Sequence, residues 1–243
     1  TFTMTGGTIE GNKATGTSYS GGGGVYVNYS ANFIMTSGSI EGNTASSGGV
    51  YVAPSATFTM TGGSIKGNTA TAYFGGGVYV NGTFSISGSP QIKENTLADA
   101  TTANNVYLYS GKTITVTGAL SDAASIGVTT EIAPAEGAPV TITSGLSGNG
   151  IANHFSSDNS AYTVALNDSS EAQLELATPY DLWIAGTQVT SANAGDLSVI
   201  DGVNGTASYD AATNTLTLNG ATIDNSTVGE TGAGIQYLGA GTF

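Results

Sequence analysis

The alternation of hydrophobic and polar residues in the first part of the chain predicts a stack of short β-strands. A strand of the form Phe-x-Met or Phe-x-Ile begins at Phe2, Phe33, Phe58 and Phe84. A glycine-rich segment with one isoleucine follows each strand, and a Val-Tyr-Val or Val-Tyr-Leu strand follows that. Side chains alternate faces along a strand, so the Phe and Met positions share one side. A unit of this kind recurring every ~25–31 residues is typical of a solenoid with one coil per repeat.

Aligning the repeats predicts an all-β fold, a right-handed parallel β-helix with three short strands per coil. Like residues then lie above like at about 4.8 Å, which buries a face that one coil cannot bury alone. Two further columns follow from this alignment: Ile9, Ile40, Ile65 and Ile92, and Asn12, Asn43, Asn68 and Asn95. The asparagines predict a side-chain ladder at one corner. Glycines 21–24 and 75–77 predict tight corners that need positive φ.

The repeat weakens after residue 108 but continues. Ile114/Val116 and Val140/Ile142 predict two more first strands, with Leu120 in the isoleucine position. Residues 162–166 and 172–176 predict a hairpin that covers the exposed last coil.

A change of pattern after this hairpin predicts two domains. Pro179 marks the boundary, and a variant of the repeat begins at Leu216. We predict a β-helix with a C-terminal hairpin cap at 1–178 and a β-rich segment at 179–243 that begins a second β-helix. Because both ends of the chain lie within a repeat, we expect it to be a fragment of a longer protein.

Composition limits the possible partners. Charged residues are 9% of the chain, well below the usual ~25%, and 37 glycines favour turns and an extended surface. The net charge of −13 arises after Lys112, where the chain has no lysine or arginine. Such a charge repels phosphate, so nucleic acid is not expected as a partner. The chain has no cysteine and no run of ~18 apolar residues, so we expect neither a thiolate site nor a membrane span.

The glycine-isoleucine cores carry a resemblance to a known family. Gly6-Gly7-Thr8-Ile9 and Gly62-Gly63-Ser64-Ile65, each followed by Gly-Asn, resemble the repeats of bacterial surface β-helix proteins of the pectin-lyase-like superfamily. They are similar to the Gly-Gly-Ala-Ile motif of chlamydial polymorphic outer membrane proteins. The resemblance extends over roughly residues 1–145. It implies a bacterial protein that is exported, lies outside the cell or on its surface, and has an adhesin-like role.

The charged residues do not predict a catalytic centre. A glycoside hydrolase needs paired carboxylates, and a lyase needs a basic residue beside acidic calcium ligands. Glu10, Glu41, Lys66 and Lys93 occupy one outward position, which makes Glu41 and Lys66 neighbours. The single histidine, His154, is interpreted as a loop or capping residue. We expect no catalytic residues, no metal site and no cofactor.

Aromatic residues are the candidates for binding. Four outward tyrosines, Tyr26, Tyr51, Tyr79 and Tyr107, predict a row on which sugar rings can lie. Three more aromatics lie on an edge where the repeats vary in length: Tyr19, Tyr73 and Phe74. The alternatives are that the tyrosines only stabilise neighbouring strands and that the loops merely vary.

These observations favour a non-enzymatic extracellular or cell-surface protein, structural or adhesin-like. Its rigid β-helix displays loops to glycans or host surface proteins. The alternative is a polysaccharide-binding or polysaccharide-cleaving protein, either a lyase or a glycoside hydrolase. A remote alternative is ice binding, because Thr-x-Thr pairs such as Thr57/Thr59 and Thr113/Thr115 resemble those of ice-binding β-helices.

Overall fold

The computed structural model describes residues 1–15, 21–72, 74–146, 152–226 and 233–239. The chain divides into two compact units. Unit 1 contains Thr1–Asn159 and Val164–Glu175, and unit 2 contains Ser160–Thr163 and Leu176–Phe243. Regular structure in the described residues is β-strand apart from two 3-10 helices, Ala152–His154 and Leu197–Val199.

Unit 1 is a parallel β-solenoid, which confirms the predicted fold class, but it is built from four strand ladders, so the predicted number of three strands per coil is wrong. Ladder A stacks Phe2–Glu10, Asn32–Glu41, Thr57–Met60, Thr83–Gly88, Ile114–Leu120 and Thr143–Ser144. Ladder B continues the second halves of the first two strands through Ser64–Lys66, Gln91–Ile92, Ser125–Thr130 and Phe155–Ser157. Ladder D stacks Val25–Val27, Val50–Val52, Val78–Val80 and Val106–Leu108 and ends on the second half of Ser125–Thr130.

Ladder C lies between B and D and was not predicted. It consists of Thr44–Ala45, Thr69–Ala70 and Thr96–Leu97. These residues begin the segments whose length varies between repeats, which the sequence predicts to be loops. Two residues per strand are too few to show a period of two, so only the pairing between coils identifies this ladder.

The core of unit 1 is a set of columns in register. Phe33 pairs with Phe58 and Phe58 with Phe84, while Ile40 pairs with Ile65. These side chains are at most 2% exposed, as are the methionines and valines of the same two coils in neighbouring columns: Met35, Met60, Val50, Val52, Val78 and Val80. The backbone bonds between coils therefore set the registry that packs identical side chains on one another.

The predicted asparagine ladder is a continuous chain of hydrogen bonds with one direction. The Nδ2 of Asn12, Asn43 and Asn68 each donates to the Oδ1 of the next asparagine, at 2.9–3.0 Å. Asn95 donates in the same way to Asn105, and Asn105 donates at 2.6 Å to a carboxylate, that of Asp158. The inner amides also donate to backbone carbonyls, as Asn68 does to Ile40 and Lys66. The ladder thus ends on a group that can only accept.

The glycine corners are of two kinds. Gly75 has φ +82, as predicted, whereas Gly21–Gly24 are not among the residues with positive φ. A Cβ on Gly22 would lie 2.2 Å from the carbonyl oxygen of Val25. Glycine is required at this position because backbones approach closely, and not because of φ.

Two predicted positions in the later coils are wrong. Ile126 takes the isoleucine position, since it pairs with Ile92, whereas Leu120 pairs with Gly88 after a register shift. The strand of ladder A is longer in this coil, which moves the isoleucine further along the chain. Thr143 pairs with Ile114, a position predicted for Val140 or Ile142.

Thr143 can occupy this inward position because its hydroxyl is fully used. It donates to Glu171 Oε2 at 2.7 Å and accepts from the Ala172 N–H at 2.8 Å. Val140 lies instead in a separate sheet, opposite Leu174.

That separate sheet caps the solenoid. It contains Val140–Thr141, Tyr162–Leu166 and Ala172–Leu176, the last two of which are the predicted hairpin strands. Ala172 and Leu174 are buried in the same hydrophobic cluster as Ile142 and Leu146 of the last coil. The cap therefore covers apolar side chains that have no further coil to cover them.

Unit 2 is antiparallel in its described strands. Pro179–Ile184 pairs with Thr187–Thr190 and with Ile235–Tyr237, and Val203–Asp210 pairs with Thr215–Ile223. Its core contains Leu182, Ile184, Val189, Leu197 and Ile200. The segment predicted as the first coil of a second β-helix thus forms one strand of a hairpin, and the second β-helix stays a prediction.

Candidate functional site

The tyrosine row follows from the alternation of side chains in ladder D. In each Val-Tyr-Val strand the valines point inward, so the tyrosine must point outward. Parallel pairing places Tyr26 opposite Tyr51, Tyr51 opposite Tyr79 and Tyr79 opposite Tyr107. The ring centroids are 5.3, 5.2 and 5.3 Å apart, and the interplanar angles are 25, 18 and 29°.

Exposure falls along this row. Tyr26 is 48% exposed, Tyr51 and Tyr79 are half-buried, and Tyr107 is only 4% exposed. Phe74, itself 46% exposed, stacks on Tyr107 with centroids 4.7 Å apart and the rings within 10° of parallel. We call Tyr26, Tyr51, Tyr79, Tyr107 and Phe74 the aromatic row.

The structure brings together five of the seven aromatic residues predicted for binding. Tyr19 and Tyr73 lie outside the described residues. The predicted platform needs exposed ring faces, but within the row each face contacts the neighbouring ring. The row therefore presents ring edges along Tyr26, Tyr51 and Tyr79, whereas Tyr107 is buried beneath Phe74. A face not stacked on another described aromatic ring is available only at its ends, on Tyr26 and Phe74.

The hydroxyls of Tyr79 and Tyr107 stay protonated over the ordinary pH range. Burial, and then the nearby Glu131 carboxylate and Tyr109, raise the pKa of Tyr107 to about 12. Burial, and then the neighbouring Tyr107 and Tyr51, raise the pKa of Tyr79 still further. A protonated phenol both donates and accepts, so the row offers hydrogen bonds of either sense to a polar ligand.

The charged candidates form no comparable site. Glu41 Oε2 lies 3.6 Å from Lys66 Nζ, as the shared outward position predicts. His154 is buried, with Nδ1 3.3 Å from the carbonyl oxygen of Ala124. No group of three His, Cys, Asp or Glu close enough to hold a metal occurs in the part of the chain that the structure describes.

Two contacts were missed by sequence reasoning. Asp158 completes the asparagine ladder, but it is 53 residues from Asn105 and no repeat position identifies it. The Phe74 ring covers Tyr107 because the loop before ladder D folds back over the next coil.

No helix among the described residues is long and apolar enough to cross a membrane.

Comparison with known proteins supports the fold. Residues 3–122 match the family model of a right handed beta helix region. No curated protein and no solved structure gives a significant match to the chain. The matched residues contain the first coils with ladders A to D and the whole aromatic row. These coils therefore form a right-handed parallel β-helix.

Proposed function

We propose that this right-handed β-helix is a non-enzymatic structural or adhesin-like protein of the bacterial cell surface or extracellular space. Its coils hold the aromatic row and the corner loops in place for a glycan or a host surface protein. The observation that carries this proposal is the aromatic row, five stacked rings along the outside of a rigid solenoid.

The rigidity of the solenoid favours binding. Association loses free energy when loops and side chains must be ordered, and a preorganised surface avoids much of that cost. Here the rings of the row are restrained by their neighbours, and the strands below are restrained by the phenylalanine column and the asparagine ladder. Tyrosine adds both an apolar body and a hydroxyl, which suits it to partly polar partners.

The chemistry of the row indicates the class of partner. Ring edges and protonated hydroxyls can contact the hydroxyl groups of a glycan or the backbone of a protein. The net charge of −13 opposes nucleic acid. A hydroxyl-rich neutral glycan meets no such repulsion.

A glycan array with a mutant series tests this proposal. Because Phe74 and Tyr79 lie at the end and in the middle of the row, Phe74→Ala and Tyr79→Ala are expected to weaken binding about tenfold, corresponding to ~1.4 kcal/mol. Thr59→Ala, on the outer face of ladder A, is the matched control and should leave binding unchanged. If all variants bind equally well, the aromatic row is not the binding surface. If the parent protein binds neither glycans nor host proteins, the proposed function is wrong.

The competing hypothesis is a polysaccharide-cleaving enzyme on the same fold. It predicts new reducing ends or unsaturated products when the protein is incubated with polysaccharides. Detection of either product would overturn the non-enzymatic proposal.

One observation favours a second candidate, ice binding. The outward hydroxyls of ladder A form two columns between coils. In one column Thr57 pairs with Thr83. In the other, Thr59 pairs with Ser85, and Ser85 pairs with Thr115. Asn32 and Ile34 interrupt both columns. A measurable gap between the freezing and melting points of a protein solution would support this candidate, and its absence would remove it.

A further inference from the structure

A small cleft opens at the corner between ladders D and A. This is a different corner from the segments of variable length, which lie between ladders B and D. The volume of the cleft is about 120 Å³. The turn Tyr109–Lys112 forms one side, and Thr130–Ile132 with Val140–Thr141 forms the other. The corner is short in earlier coils, such as Asn81–Gly82, but in this coil it spans residues 131–139. Two backbone hydrogen bonds, one in each direction between Ala135 and Ala138, close this longer segment. An insertion in the repeat therefore creates the cleft.

Tyr109 offers this cleft an aromatic face. Its ring is 39% exposed, and no ring of the described residues stacks on it. Its backbone is fixed, because its N–H donates to Val80 and its carbonyl accepts from Lys112. In the same turn, a Cβ built on Gly111 would meet no atom within 4 Å, so the turn is open at this position. Tyr109 thus differs from the middle tyrosines of the row, whose faces contact each other.

A carboxylate and an ammonium group accompany this ring. Glu131 Oε2 accepts from the Ser110 N–H at 2.8 Å, which holds the carboxylate at the cleft. Its Oε1 has no partner among the described residues, and within that same part of the chain Lys112 forms no ion pair. The two opposite charges balance, so the cleft has hydrogen-bonding power without a net charge.

We propose that this cleft binds a neutral monosaccharide at the end of a glycan. A pyranose has an apolar C–H face, which suits the Tyr109 ring, and hydroxyls that can donate to Glu131 and accept from Lys112. A cleft of about 120 Å³ has room for one sugar ring and not for an extended chain. A ligand with a single charge would be opposed by one of the two charged side chains.

This inference rests on the proposed glycan-binding role and concerns a cleft that adjoins the aromatic row near Tyr107 but is lined by other residues. The test is saturation-transfer NMR of the full 243-residue chain with glucose, galactose and mannose, followed by titration of any sugar that binds. Tyr109→Ala is expected to weaken binding at least tenfold. Tyr29→Ala, at the same corner of the first coil and also exposed, is the matched control and should bind like the parent.

A charge variant makes the test sharper. Glu131→Gln keeps an oxygen for the Ser110 N–H but removes the negative charge, so binding of glucuronate should improve relative to glucose. The cleft proposal is overturned if none of the three neutral sugars binds or if Tyr109→Ala binds them like the parent. Array binding that depends on Phe74 and Tyr79 but not on Tyr109 would then leave the proposed function standing, whereas a parent protein that binds neither glycans nor host proteins would end both.

Discussion

Two columns of aromatic rings run along the same coils, one inside the solenoid and one outside. The phenylalanine column has centroid distances of 5.4, 4.9 and 5.0 Å from Phe2 to Phe84. The tyrosine column has distances of 5.3, 5.2 and 5.3 Å from Tyr26 to Tyr107. The spacings agree because both follow the distance of ~4.8 Å between hydrogen-bonded strands.

The columns differ in what surrounds them. In the repeat that contains Phe58, this ring is fully buried, whereas Tyr79 is only half-buried. A stacked aromatic pair contributes about 0.5–1.5 kcal/mol beyond the area it buries, and this term is available to both columns. In these middle coils the transfer of the ring out of water is complete only inside. Similar geometry therefore corresponds to different free energies, and the outer column remains available for contacts with a partner.

The largest expected effect comes from removing one ring of the inner column. Phe58→Ala should lower the free energy of unfolding by about 3–5 kcal/mol, because it leaves a cavity between two phenylalanines. Tyr79→Ala, at the corresponding place in the outer column, should cost only about 1 kcal/mol. Urea unfolding followed by circular dichroism measures both losses. Equal losses would show that stacking and not burial determines the contribution of each column.

The next effect concerns the asparagine ladder, which lies at the buried edge of the inner columns. Asn68→Asp removes an amide that donates to Asn95, Ile40 and Lys66 and puts an acceptor in its place. We expect a loss of about 3 kcal/mol at pH 7, because buried acceptors lose their donor and a charge is buried. Thermal unfolding at pH 7 and pH 4 measures the loss, part of which should be recovered as the new carboxyl becomes protonated.

Asp158→Asn is the matched control for this change. Position 158 is the acceptor end of the ladder: Asp158 Oδ1 accepts from Asn105 Nδ2, and its Oδ2 accepts from the Asn105 N–H and the Thr129 hydroxyl. An asparagine keeps one of these acceptors and replaces the other by an NH2 group. Burial raises the pKa of Asp158, so its charge is itself a cost at neutral pH, and removing the charge offsets part of the lost bonding. We expect a loss of about 1 kcal/mol, smaller than that of Asn68→Asp. If Asp158→Asn were as damaging as Asn68→Asp, the direction of the ladder would not explain where a carboxylate is tolerated.

A smaller expected effect is a dependence of stability on pH that comes from the tyrosines of the outer column and that the phenylalanine column cannot produce. An unfolded tyrosine has a pKa near 10, and burial raises the pKa of Tyr107 to about 12 and that of Tyr79 further. Between pH ~10 and 12 the unfolded chain releases protons that the folded chain keeps, so stability falls as pH rises. The double variant Tyr79→Phe/Tyr107→Phe should lose less stability from pH 9 to pH 11 than the parent. Identical pH profiles for the two proteins would contradict the raised pKa values.

The smallest expected effect lies on the outer face of ladder B. Lys66→Glu replaces the partner of Glu41 by a like charge, and Lys66→Gln only removes the attraction. Both changes should cost less than about 1 kcal/mol, with Lys66→Glu the larger, because exposed ion pairs are screened by water. Unfolding at low and high salt checks this, since the difference between the two variants should shrink as salt rises. A loss comparable to that of Phe58→Ala would contradict the division between inner and outer positions.

The fold of the first coils was predictable because each inner position is occupied by one kind of residue. Phe33, Ile40 and Val50 and their counterparts in other coils have identical roles, so aligning the repeats was sufficient to place them. The prediction failed at Leu120 and Val140, where the coils change length. An apolar residue then no longer identifies its own position, because several alignments bury it equally well.

The candidate site was predictable only in part. The alternation in Val-Tyr-Val places Tyr79 and its equivalents outside, but it does not show that their faces are taken by neighbouring rings. The cover of Phe74 over Tyr107 depends on the path of a loop. The cleft beside Tyr109 depends on an insertion from the following coil, whose residues have no repeat to align with.

The sequence by itself determined the solenoid, its inner columns and the outward tyrosines, because periods of two residues and of one coil follow directly from strand and repeat geometry. The tertiary structure alone decided which ring faces are free, where the asparagine ladder ends and which corner opens into a cleft. These features depend on contacts between residues far apart in the chain that belong to no repeat. The contact of Asn105 with Asp158 is one such case, since no local pattern of the sequence records it.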